Sequence, residues 1–335
     1  MNPKSATIPI MVALGAMVAG LACGAGTATQ PPVVSTATQV PLPQEVQEQA
    51  TSAPPPTLPP AAQFLGDTAY RSGYSLTAIG VEDPAKPGVL YQPSTGQRLV
   101  AVDVVVGNVS GDPLSVNLLS AVLIDQDGFT YQPELGGRDG QLPTLDAFPG
   151  ERARGWIAFE IPEGAVVTSL RYSPGAFSTD FIEVGLNQPP DGHQTVGDPW
   201  IEPSAAGLAK LGDVAEQFGY SLSASSLEDP APAGILYQPK QGHKLVAVEI
   251  VVGNISGDQI TVNPLNAILV DAGGFLYTPE LAGRDDQIEL VDLTPGLKVK
   301  GWVAFTIPED AVPASIKYLV EPFSSAFLQV GLSSQ

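Results

Sequence analysis

The run QRLVAVDVVVGNVSGD, from Gln97 to Asp112, returns 146 positions later as HKLVAVEIVVGNISGD, from His243 to Asp258. No other feature limits the architecture as strongly, because a chain that repeats itself must build two like units. Carried to its bounds, the repeat aligns residues 66–186 with 212–332 without a gap, and more than half of the positions are identical. Within the run, Val102, Val104 and Val106 alternate with Asp103, the period of two that marks a half-buried β-strand. Asn-Val-Ser-Gly-Asp then supplies the polar, glycine-containing punctuation of a hairpin-like reversal.

Each copy carries several further runs of this kind. In the first they are Tyr74–Val81, Leu99–Val106, Ala121–Asp125, Gly155–Ile161, Ser169–Tyr172 and Phe181–Val184. Pro113, Asp127-Gly128, Pro149-Gly150 and Pro162 separate them, and no long segment has helical periodicity. Short strands with frequent turn signals predict an antiparallel sandwich or barrel. Asp127-Gly128 reads as a two-residue hairpin turn, and Gly273-Gly274 fills the same slot in the second copy.

The order of motifs carries a family resemblance. EDP, LVAVDVVVGNVSGDPLSVN, LIDQDGFTY, PG followed by RGWIAFEIPE, and a late Phe with VGL together resemble the DUF4352 modules of bacterial lipoproteins. The resemblance covers nearly all of each copy. It implies an all-β chain with two tandem immunoglobulin-like antiparallel β-sandwiches, similar in fold to the mycobacterial secreted antigen of the MPT63 type. It brings no catalytic or binding residues with it.

The segments outside the copies have their own signatures. Lys4 and the uncharged apolar stretch Ile8 to Ala22 read as an export signal, since about 15 residues fall short of the ~20 needed to span a bilayer. Ala19 to Cys23, followed by Gly24, resembles a bacterial lipobox, so residues 1–22 are expected to be removed and Cys23 lipidated. Gly20 stands where that motif usually has Leu, and Gly20-x-Ala22 also suits ordinary signal peptidase. A secreted, unanchored protein is therefore the alternative. Cys23 is the sole cysteine, which excludes an intramolecular disulfide. Residues 23–65 are rich in Pro, Thr, Ala, Gln and Ser and are expected to form a disordered stalk. As polyproline II, at ~3.1 Å per residue, it would reach on the order of 100 Å. Residues 187–211 form a proline-rich linker in which Trp200-Ile201 is apolar enough either to dock on a module or to stand exposed.

Composition excludes some partners. A net charge of −20 and a pI near 4.2 leave no cluster of Lys and Arg for nucleic acid. The expected partners are the membrane, through the N-terminal lipid, and an envelope or extracellular protein or carbohydrate. No cofactor is expected.

Candidate chemistry is sparse. The two histidines, His193 in the linker and His243, have no paired counterparts, and Gly107-Asn-Val-Ser110-Gly misplaces the serine of a nucleophile elbow. Asp125-Gln-Asp127-Gly128 has the start of an acidic calcium loop, but the second copy reads Asp271-Ala-Gly-Gly and a turn explains both. Asn108-Val-Ser110 and Asn254-Ile-Ser256 are formal glycosylation sequons better read as turns. Glu82, Asp83, Glu134 and Asp139, with their counterparts Glu228, Asp229, Glu280 and Asp285, form a candidate cation site if their loops meet. The other reading is local neutralisation by Arg138 and Arg284. Trp156 and Trp302 lie off the Ile/Phe/Ile face of their strand. They are candidate binding anchors if bare, and structural if a loop or the other module covers them. A binding or interaction role is the leading expectation, a structural spacer the second and a hydrolase the least.

Overall fold

A computed structural model describes residues 62–174, 180–197, 199–203, 207–235, 237–321 and 326–333. Cys23 and the rest of residues 1–61 fall outside the described residues. Every main strand of one copy has its counterpart in the other. The first module has β1 (Ala62–Phe64), β2 (Thr68–Arg71), β3 (Tyr74–Glu82), β4 (Gln97–Asn108), β5 (Leu114–Val116), β6 (Ala121–Asp125), β7 (Thr130–Tyr131), β8 (Leu145–Ala147), β9 (Arg152–Pro162), β10 (Val167–Tyr172) and β11 (Ile182–Asn187). The second has β12 (Ala215–Gln217), β13 (Tyr220–Glu228), β14 (His243–Asn254), β15 (Ile260–Val262), β16 (Ala267–Asp271), β17 (Leu276–Tyr277), β18 (Val291–Leu293), β19 (Lys298–Pro308), β20 (Pro313–Leu319) and β21 (Phe327–Gly331).

In the first module β2-β3-β4-β9 form one antiparallel sheet, and β1-β11-β10-β6-β7 form the other. The second module repeats this as β12-β13-β14-β19 and β17-β16-β20-β21, with β1, which pairs parallel to β11, reduced to a single bridge between Ala209 and Val330. In each, a two-stranded ribbon, β5-β8 or β15-β18, stands apart from both sheets. The architecture is the expected pair of immunoglobulin-like sandwiches. The repeated valine strand is central, with β4 between β3 and β9 and β14 between β13 and β19.

The inward faces of the two sheets make the core. Val100, Val102, Val104 and Val106 from β4 meet Ile157, Phe159 and Ile161 from β9, with Leu123, Leu170 and Val184 from the opposite sheet, all fully buried. Each such side chain contributes about 1.5–3 kcal/mol by leaving water. The prediction of a half-buried strand is corrected on the other face. Leu99, Ala101, Asp103 and Val105 are buried too, so β4 is covered on both sides. Glu249 and Val251, the counterparts of Asp103 and Val105 on β14, are only half-buried.

The Asn-x-Ser reversal is a turn, but not a hairpin, because β5 leaves the sheet to pair with β8. Asn108 is buried, and its amide donates to Asp112 O (2.7 Å) and Ala147 O (2.8 Å). Its Oδ1 accepts from the backbone N and the hydroxyl of Ser110, both at 2.8 Å. Asn254 repeats all four bonds. The asparagine thus pins the crossover between sheets, and its amide is turned away from any modification. The Asp127-Gly128 turn is also corrected, from two residues to three. Asp125 N donates to Phe129 O (3.1 Å), enclosing Gln126 to Gly128, with Gly128 at φ 83°.

The modules meet directly. Ile268, Val270 and Leu276 of the second module are contiguous with the buried apolar cluster of the first. Arg152 N donates to Gly274 O (2.8 Å), and its Nε donates to Gly273 O (3.1 Å). Trp200 of the linker docks here, whereas Ile201 beside it stands exposed. Its indole N–H donates to Gly150 O (2.7 Å), and the Arg152 guanidinium lies 4.3 Å from its ring. At the centre Lys317 pairs with Glu151 and lies 4.1 Å from the ring of Phe148 and 4.6 Å from that of Phe327. Both charged groups are buried. Burial holds the Lys317 ammonium below its ordinary pKa, and the Glu151 carboxylate partly offsets this.

Replacing Asn108 by Ala removes the buried donor to Ala147 O and the acceptor of Ser110 N, while Asp112 O keeps the Ser110 hydroxyl. The expected loss is about 2–4 kcal/mol, read from denaturant unfolding of the whole chain. Asn254→Ala should cost as much, and a loss below about 0.5 kcal/mol would show that these amides do not pin the crossover.

Candidate functional site

The outer face of the β2-β3-β4-β9 sheet is built in two halves. One half, around Asp103 and Val105, lies under Arg154 and toward the second module. Arg154 grips Asp103 through Nε (3.2 Å) and Nη2 (2.7 Å). The other half is roofed by the module's own loops, residues 83–96 and 132–144. Beneath them Ala85, Leu99, Ala101 and Ala158 form a small apolar layer, with Tyr91 and Trp156 packed against it.

Trp156 projects outward because it alternates with Ile157, Phe159 and Ile161, which fill the core. The neighbouring Gly155 lets the loop lie on the strand, since a Cβ there would sit 2.4 Å from Leu142 N. Leu142 N donates to Trp156 O (2.9 Å) and Trp156 N to Gly140 O (2.9 Å), so the loop runs along the strand as an extra parallel bridge. Arg138, carried by that loop, places its guanidinium 4.0 Å from the Trp156 ring centre. Its Nη2 reaches Glu82 Oε1 at 2.6 Å. In the second module Arg284 lies 4.3 Å from the Trp302 ring and pairs with both Glu228 and Asp286. Each tryptophan is therefore half-buried, with its own module's arginine over its ring.

The acidic set is divided among different cations. Glu82 serves Arg138, whereas Asp83 forms a two-pronged pair with Arg98 (2.6 and 2.9 Å). In the second module Glu228 serves Arg284, and Asp229 pairs with Lys244 (2.8 Å). Glu134 and Glu280 are half-buried, each with its backbone N–H on the sheet, while Asp139 and Asp285 are exposed. Among the described residues no three His, Cys, Asp or Glu side chains converge as metal ligands. Asp125 is also committed, to Phe129 N (2.8 Å), Asp127 N (3.0 Å) and the Tyr131 hydroxyl (2.7 Å). The Tyr131 bond, aided by the backbone donors, holds its carboxyl below the ordinary range. His193 meets Asp67 (2.8 Å) and ties the linker to the first module. Burial alone would raise the Asp67 carboxyl, but bonds from His193, Val196 N and Phe64 N outweigh it and lower the pKa. His243 faces the carbonyl of Gln241.

What the loops do expose is apolar. Val89 is 87% and Leu90 100% exposed, and Ile235 is 89% exposed at the same place in the second module. Gly88 N donates to Gly137 O (2.8 Å), which sets this tip beside the loop bearing Leu135, 65% exposed. Gly234 N donates to Gly283 O (2.7 Å) and brings Ile235 beside the loop of Leu281, 61% exposed. These are GVLYQP and PELGGRD in one copy, and GILYQP and PELAGRD in the other. Single-copy patterning hides them, because an apolar residue beside Pro and Gly reads as turn filler. Comparing the copies position by position would have found them.

A family model described as "Domain of unknown function (DUF4352)" matches residues 64–182 and again 210–327. No curated protein matches the chain. Among solved structures, YcdA of Bacillus subtilis, described as a candidate lipoprotein, is 18% identical with a TM-score of 0.31. That match covers 36% of this chain and 38% of YcdA. YjhA of B. subtilis is 18% identical over 38% of this chain and 100% of its own, with a TM-score of 0.30. The secreted protein MPT63 of Mycobacterium tuberculosis is 14% identical over 34% of this chain and 82% of its own, with a TM-score of 0.26.

The arginine roof is open to test. In a chain whose Trp200 and Trp302 are Phe, Arg138→Ala should raise acrylamide quenching of Trp156 about two-fold and cost about 1 kcal/mol. Unchanged quenching would mean that the arginine does not cover the ring.

Proposed function

Since the chain belongs to the DUF4352 family and carries its domain twice, we propose a non-catalytic, two-site binding protein of the cell envelope. The observation that carries this reading is the repeated apolar tip, Val89-Leu90 with Leu135 and Ile235 with Leu281. Folding explains the other retained motifs: the valines fill cores, Asn108 and Asn254 pin crossovers, and Gly155 seats a loop. Single exposed apolar residues also recur at matching places, as Leu119 and Leu265 do, but only the tips set such residues side by side from two loops, which folding does not require. A partner that covers both tips does. An apolar tip flanked by exposed backbone suits a protein surface better than a hydroxyl-rich glycan.

Two weak sites on one chain act together when a partner is itself repeated or surface-bound. The second contact then forms at an effective concentration set by the first, and avidity exceeds either affinity. For location, the export signal and the lipobox-like end at Cys23 support a lipid-anchored protein facing outward. Two or more acyl chains would hold it stably, and the chain between Cys23 and β1, which starts at Ala62, would set the reach. The spacer reading has an observation of its own, the buried junction of Lys317, Glu151 and Trp200, which joins the modules closely. A spacer has no use for the apolar tips, so the binding reading is preferred.

In protein carrying Cys23→Ser, and so no lipid, changing Leu90 and Leu135 to Asp in one module should leave the melting temperature unchanged and weaken retention of the protein on isolated cell envelopes. That first pair should already lower retention at least about ten-fold, since avidity is lost with either site, and adding Ile235→Asp and Leu281→Asp should remove the single-site binding that is left. Equal retention of all variants would defeat the reading. Mass spectrometry of the mature protein should find an acylated Cys23 at the N-terminus. An unmodified Cys23, or cleavage beyond it, would defeat the anchoring.

A further inference from the structure

The contact between the modules uses a different surface on each. The first module presents an edge: the turn and strand start bearing Phe148, Glu151 and Arg152. The second presents a sheet face, where β16 and β20 carry Ile268, Val270 and Lys317 with Phe327 beside them. Duplication gives the chain a spare of each. The second module has its own edge at Thr294, Leu297 and Lys298, all exposed. The first module has its own face at Val122, Ile124, Phe129, Arg171 and Phe181. Ile268 and Val270 are buried at the junction, while Val122 and Ile124 are only half-buried. Phe129 and Phe181 are exposed.

The spare surfaces differ from the used ones in ways that compensate each other. Where the used edge has Glu151, the spare edge has Leu297; where the used face has Lys317, the spare face has Arg171. Arg171 does not need a carboxylate from outside, because Glu183 on its own face holds Nε at 2.8 Å. Its guanidinium lies 4.3 Å from the Phe181 ring, an apolar and neutralised spot suited to a leucine. Gln329 replaces Glu183 in the second module, where the carboxylate arrives across the junction instead. At the other end of the contact, Arg152 reaches the carbonyl of Gly273. Their counterparts are Lys298 and Asp127, an ammonium and a carboxylate.

We propose that the open face of the first module receives the spare edge of the second module from another copy of this chain. Leu297 lies against Phe181 and the Arg171–Glu183 pair, and Lys298 meets Asp127. The contact is heterologous, so each added copy presents a fresh face and a fresh edge, and association continues head to tail rather than closing at two. It is weaker than the contact within one chain, because the linker and Trp200 clamp only the latter. This surface is separate from the apolar loop tips, and neither proposal depends on the other.

Sedimentation equilibrium of the full chain in detergent tests it. The average mass should rise with protein concentration and pass that of a dimer. Asp127→Lys and Lys298→Asp, each at an exposed position, should separately weaken association at least about ten-fold by setting like charges together. An equimolar mixture of the two variants should recover it, since every face then finds an opposite edge. Leu297→Asp should weaken association without changing the melting temperature. A mass that stays monomeric at all concentrations overturns the proposal. So does one that stops at the dimer, or self-association that ignores both charge reversals or is not recovered in the mixture.

Discussion

Burial of β4 on both faces is the constraint to which the rest of the structure answers. A sandwich covers one face of each sheet for free, by packing the sheets together. The other face normally meets water, and alternation of apolar and polar residues is its mark. Here Leu99, Ala101 and Val105 lie on that other face and are buried, so something must lie over them. Two loops roof one half, and the sister module lies toward the other. The loops in turn need Gly155 to come close and Arg138 to cap Trp156. The sister module needs a place for its own charge, which Glu151 provides.

The ion pair at the junction is the costly part. Two charges taken out of water gain little unless geometry and further bonds repay their desolvation. The rings of Phe148 and Phe327 supply negative π-faces around the ammonium, and Glu151 supplies the countercharge. Losing either charged partner alone would strand the other in an apolar seam. Such a pair says less about gross stability than about register.

Much of the sandwich was legible in the sequence, for a physical reason. Core strands are local patterns, and Ala121–Asp125 can be read to the residue because turns bound it on both sides. The short strands β1, β2, β5, β7 and β8 carry too few residues for a period to show. The second layer over β4 was hidden because it depends on which loops cross which strand, a matter of long-range packing. Val-Asp-Val-Val looked half-exposed, since Asp103 mimics a solvent-facing position while it is gripped by Arg154. At the loop site, each tryptophan and one acid, Glu82 or Glu228, turned out to share an arginine, while Asp139 and Asp285 stand exposed. The exposed Leu90 and Leu135 passed unnoticed, because exposure is a property of neighbours and not of the residue.

Phe148, Glu151 and Lys317 also give the pair of modules a polarity. Their counterparts are Thr294, Leu297 and Arg171, so the halves of the original duplication have ceased to be interchangeable. A chain with its modules transposed would face Leu297 toward Arg171 inside one molecule and leave Glu151 and Lys317 to water. Recombination between the two copies would remove this division of labour, because a hybrid unit keeps one surface from each parent. The junction therefore depends on the repeats staying different at these positions, even while their cores remain nearly alike.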